Sequence, residues 1–113
     1  MDIFEISQLS TEREQSNRSY LEFLRTSSLS VGLYVLPAGS EDKQQPHTED
    51  EVYYVVSGQA WMKVGEEHHE VKAGSIIFVA AEVEHRFHSI NQDLSVLVFF
   101  APAEYANASK PEK

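Results

Sequence analysis

The sequence predicts an all-β domain, a small closed barrel or sandwich, and two observations carry that expectation. From Tyr20 onward, short runs rich in β-branched and aromatic residues alternate with turn residues about every ten positions. Nothing in that stretch sustains a helical period. With 113 residues the chain has the size of one ordinary domain.

The predicted strands are Tyr20–Arg25, Ser30–Leu36, Glu51–Val56, Ala60–Val64, Glu70–Lys72, Ser75–Val79, His85–Ile90 and Ser95–Ala101. Between them stand Pro37-Ala-Gly39, Ser57-Gly58, Gly65-Glu-Glu67, Ala73-Gly74 and Asn91-Gln-Asp93, each read as a turn. Residues 1–19 are polar and weakly patterned. Thr11-Glu-Arg-Glu14 has the form of a capping box, but no apolar stripe follows, so a short extended arm is as good a reading as a helix. The tail, residues 103–113, is small and polar and reads as a frayed end, with at most one helical turn. A single domain results: arm 1–19, barrel about 20–102, tail 103–113.

Composition narrows the function. There is no cysteine, so disulfides, thiolate zinc sites and cysteine nucleophiles are excluded, and any metal must use imidazole, carboxylate or amide oxygen. The formal net charge of −9, with scattered Lys and Arg, disfavours nucleic acid and anionic membranes as partners. No apolar run reaches the length of a membrane helix, and the N-terminus lacks the pattern of a signal peptide. The expected location is cytoplasmic, in which case the Asn-X-Ser matches at Asn17 and Asn107 carry no glycan.

Val52-Tyr-Tyr-Val-Val56 and Leu94-Ser-Val-Leu-Val-Phe-Phe100 are apolar on both faces of their strands. The outward set Val52, Tyr54 and Val56 therefore needs a cover, supplied by the arm, by a second subunit, or by both; a homodimer is expected.

Among the five histidines, His47 and His85 stand apart, each just ahead of or at the start of an apolar strand. In an extended chain, residues at even separations share a face, so Gln45, His47 and Glu51 project together, with Glu49 and Tyr53 on the same side. A histidine and a carboxylate aimed into a barrel interior are costly unless paired, and a bound cation would pair them. By itself, His47-x3-Glu51 fits a hydrogen-bonded structural pair equally well. His88, three residues after His85, faces the other way and takes a structural or surface role, as do His68 and His69 in an acidic hairpin.

These spacings resemble the two motifs of the cupin family. The first is Gly-x5-His-x-His-x3/4-Glu-x6-Gly; here Gly39, Gln45, His47, Glu51 and Gly58 keep every interval, with Gln45 in place of the first His. The second is Gly-x5-Pro-x-Gly-x2-His-x3-Asn; here Gly74 and His85 are in register, with Ala80, Glu82 and Ser89 at the Pro, Gly and Asn positions. The resemblance spans about residues 31–102. It implies a double-stranded β-helix, or jelly-roll, barrel holding one divalent metal through His47, Glu51 and His85, with Gln45 as fourth ligand.

An amide oxygen is a weaker and harder donor than imidazole, so Fe, Mn or Zn is expected ahead of Cu or Ni. A barrel that has lost its metal, with Gln45 bonded to His47, is the competing reading. Tyr53 and Phe87 are the candidates for substrate contact, with Met62 and Val64 behind them, although core packing serves these side chains as well. Glu49 is either a general base or a solvated loop carboxylate. The function so implied is a metal-dependent enzyme of the dioxygenase or isomerase type acting on a small organic molecule, or a non-catalytic barrel that binds one.

Overall fold

A computed structural model describes residues 1–107, and it is built around two long antiparallel strands. The elements are α1 (Ile6–Ser16), β1 (Tyr20–Arg25), β2 (Ser30–Leu36), β3 (Asp50–Val64), β4 (Glu67–Lys72), β5 (Ile76–Val79) and β6 (His85–Ala101). Strand order is β1-β2-β6-β3-β4, with β5 paired to the first part of β3, and every pairing is antiparallel. The all-β expectation therefore holds.

Two expected turns are not chain ends. Ser57-Gly58 lies inside β3 and Asn91-Gln-Asp93 inside β6, and the two strands pair from Asp50–Ala101 to Val64–His85. The register slips between Val55 and Trp61, so both strands bend here and wrap around the barrel. Gly58 has φ 99°, and a Cβ on it would lie 2.3 Å from the Asp93 carbonyl oxygen. The turn-like residues mark a bulged corner, which uses the same residue types as a loop.

The N-terminal segment is helical where an extended arm was an equal expectation. Thr11 sits mid-helix, its hydroxyl bonded to the Ser7 carbonyl, so the capping-box reading is wrong. Gln, Leu, Glu and Arg favour the helix locally, and Asn17, at φ 57°, ends it in a left-handed cap. Leu9 is its one buried residue, which is why no apolar stripe shows in the sequence.

Register explains what α1 covers. One row across the outer face runs Leu21, Leu33, Leu97, Tyr54, Ile76 from β1 to β5. The helix packs on β1 and β2 and Leu33 is fully buried, but Tyr54 is 39% and Ile76 71% exposed. Phe78, in the next row, is 60% exposed. The arm protects one end of this face and leaves the other bare.

The inner rows form the core, with Tyr53, Val55, Met62, Phe87, Leu94 and Val96 buried together. One inner row ends the barrel: Ser30, Phe100, Glu51 and Val79, side by side on β2, β6, β3 and β5. It carries a carboxylate to the end of the apolar core, and the candidate site is built there.

Candidate metal centre

Glu51 is the second residue of β3 and is buried with its carboxylate turned inward. His85 opens β6 and is also buried. His47 comes from the irregular segment before β3, and its ring rests 4.8 Å from that of Phe100. The turn ahead of β6 locks the two histidines together, since Glu82 N–H donates to the His47 carbonyl at 2.7 Å. Glu82 has φ 70° and Ser89 φ 51°, so the chain keeps left-handed backbone at both positions despite lacking glycine and asparagine there.

Nitrogen or oxygen atoms of His47, Glu51 and His85 all lie within 4.8 Å of one another. His85 Nε2 is 3.1 Å and His47 Nδ1 3.5 Å from Glu51 Oε1. Neither contact is aligned as a hydrogen bond: His47 Nδ1, His85 Nε2 and both Glu51 oxygens are buried without a partner. Four orphaned polar atoms converging on one point is costly in an apolar interior. Adjacent ligands of an ion bound at about 2.0–2.2 Å stand roughly 3 Å apart, so this set fits a divalent cation. Burial opposes charge on His85, but the Glu51 carboxylate and the Val83 carbonyl outweigh it and raise its pKa.

The other expected residues fall differently. Gln45 is exposed and lies on the wall of a cavity of about 330 Å³ that opens onto His47. Its neighbour Gln44 turns inward and accepts the Tyr53 hydroxyl at 2.8 Å. Sharing a face at even separations requires an extended chain, but residues 41–47 form no strand. Tyr53 and Phe87 are fully buried, edge to face at 5.0 Å, and sit beneath the site without lining the cavity. Met62 is core and Val64 packs against it. His88 faces outward, bonded to His68 and stacked on Trp61, while His69 is exposed.

Three carboxylates matter in ways the sequence did not disclose. Asp42 is buried and accepts from the Tyr34 hydroxyl, the Gln44 amide and the Phe87 N–H, tying the segment before β3 to the barrel. Glu49 is only 2% exposed, so the solvated reading is wrong. It accepts the N–H groups of Tyr105 and Asn107 and the Thr48 hydroxyl, and these outweigh burial to lower its pKa. The tail beyond Pro102 is therefore anchored as far as Asn107, where a frayed end was expected; residues 108–113 lie outside the described part. Anchoring brings Glu104 to the site, its Oε2 3.2 Å from His47 Nε2. Nothing in the periodicity of the tail signals this.

Known proteins share this architecture. The chain matches the Cupin domain family over residues 32–100 and belongs to it. It is 50% identical over 104 residues to an uncharacterized protein of Streptomyces coelicolor, covering 92% of this chain and 99% of that one. Among solved structures, a Thermus thermophilus protein superposes with TM-score 0.71 at 23% identity, over 91% of this chain and 99% of its own. An RmlC-like cupin of Methanocaldococcus jannaschii with a double-stranded β-helix fold gives 0.67 at 21% identity, over 74% and 78% of the two chains. At these identities the structural likeness establishes the fold, and function must be argued from the site.

Proposed function

We propose that the protein is a metal-dependent enzyme of the oxygenase or isomerase type, acting on a small organic molecule. The observation that carries this reading is the group of four buried, unpartnered atoms of His47, Glu51 and His85. A divalent ion held there, Fe, Mn or Zn, would supply Lewis acidity to an oxygen-bearing substrate or a binding position for O2. Glu51 brings the negative charge, and the inner barrel beneath it, closed by Tyr53 and Phe87, keeps water out from below. Gln45, which lines the same cavity as His47, is the residue from which a fourth donor would come. Substrate enters on that side, between Lys43, Tyr34 and Phe100, in a space suited to a molecule of few atoms.

A second reading, capture of a small ligand without turnover, has its own support. Among the described residues of the cavity wall no general base is poised: burial first of all holds Tyr20 and Tyr34 protonated, and Glu104 is engaged by His47. The two readings separate on a His47→Ala variant reconstituted with each metal and assayed for bound metal, O2 uptake and isomerisation of small hydroxy and keto acids. The enzyme reading expects turnover in wild type and loss of both metal and turnover in the variant. Retention of both by the variant overturns it, and metal binding with no turnover on any substrate leaves ligand capture.

The outer face of β3, β5 and β6 completes the proposal. Tyr54, Ile76 and Phe78 form a contiguous apolar surface that α1 does not reach, and a second copy of the chain would cover it. Among the described residues no helix is long and apolar enough to cross a membrane.

A further inference from the structure

The two nitrogens of the His47 ring face two different carboxylates. Nδ1 lies 3.5 Å from Glu51 Oε1, and Nε2 lies 3.2 Å from Glu104 Oε2. A ring can give an ion only one of them. Nδ1 belongs to the orphaned set, together with His85 Nε2 and the Glu51 oxygens, and the remaining nitrogen of His85 is already bonded to the Val83 carbonyl at 2.9 Å. Each histidine therefore offers one nitrogen to the common point and has an acceptor waiting for the other.

We propose, resting on the metal-site reading above, that Glu104 is the positioning residue of the centre. It accepts the Nε2–H of His47 and so fixes the tautomer that leaves Nδ1 free to bind the ion. A ligating histidine whose second N–H is held by a carboxylate is better oriented and more basic, and losing such a partner costs roughly 10–100-fold in metal affinity. Glu104 is built to hold that position. Its N–H donates to the buried Ser30 hydroxyl at 2.9 Å, its carbonyl accepts Arg25 Nη2 at 2.8 Å, and the following residues are clamped by Glu49. The tail thus reaches back across the barrel end to orient a ligand from the segment before β3, which gives the fold of residues 103–107 a purpose at the site.

The test uses zinc, whose complex is diamagnetic, on the full chain. Affinity is measured by competition with a chromophoric chelator for wild type, Glu104→Ala and Glu104→Gln, and the His47 tautomer is read from imidazole ¹H–¹⁵N correlations of the zinc-loaded wild type. The expected results are an Nε2–H tautomer, zinc binding weakened about 10–100-fold in Glu104→Ala, and an affinity close to wild type in Glu104→Gln, whose amide oxygen still accepts. A proton on His47 Nδ1, a Glu104→Ala affinity equal to wild type, or a Glu104→Gln protein as weak as the alanine variant overturns the proposal. If the alanine variant fails to fold, the tautomer and the glutamine variant decide. Wild type that binds no zinc or other divalent metal is the separate failure of the metal reading, and this inference falls with it.

Discussion

Glu49 accepts the backbone N–H of Tyr105 at 2.8 Å, joining the residue before β3 to the chain beyond β6. A second bond to the Asn107 N–H, 3.0 Å, makes the carboxylate a clamp on the tail. Glutamine at this position offers one neutral oxygen for two N–H groups and one hydroxyl. Glu49→Gln is expected to lower stability by about 1–3 kcal/mol, the cost of leaving buried donors poorly paired, as read from denaturant unfolding. An unchanged midpoint contradicts the clamp.

The same carboxylate has a pH signature. Its pKa is lowered in the folded protein from an ordinary value of 4.5, so its contribution is complete above that value and is lost as pH falls through the lower, folded one. The protection of the Tyr105 and Asn107 amides, corrected for the intrinsic exchange rate at each pH, should therefore fall on acidification below pH about 4.5, ahead of that of the core strands. Tail amides that open only together with the core contradict this.

Much of the fold is legible in the chain, and the exceptions have physical reasons. Runs of β-branched and aromatic residues between turn residues place β1 and β2 to the residue. The same signals split β3 and β6 at Ser57-Gly58 and Asn91-Gln-Asp93, because a bulged bend and a turn need the same backbone freedom. The sequence leaves α1 open between helix and extended arm, since a helix that buries only Leu9 leaves no stripe. At the candidate site, strand position and motif spacing single out His47, Glu51 and His85, which the fold brings together. They do not single out Asp42, Glu49 and Glu104, because their roles arise from contacts between aperiodic segments distant in sequence.

The bulged corner itself is testable. A methyl group at Gly58 meets the Asp93 carbonyl oxygen at 2.3 Å and also forces a side chain into φ 99°. Backbone strain of this kind costs about 1–3 kcal/mol, and the contact adds to it. Gly58→Ala should lower the melting temperature, and a neutral result places the two strands further apart than described.

The bare outer face predicts assembly. Light scattering at micromolar concentration should give a dimer, and Phe78→Glu, which puts a charge in the middle of the patch, should give a folded monomer. A wild-type monomer ends the dimer proposal.

The claim on which the rest depends is that the orphaned atoms of His47, Glu51 and His85 hold an ion. Elemental analysis of untagged protein, beside Glu51→Ala and His85→Ala, tests it most directly. The prediction is one equivalent of Fe, Mn or Zn in wild type and none in either variant. Wild type with no metal even after reconstitution, or variants that keep it, would contradict the account.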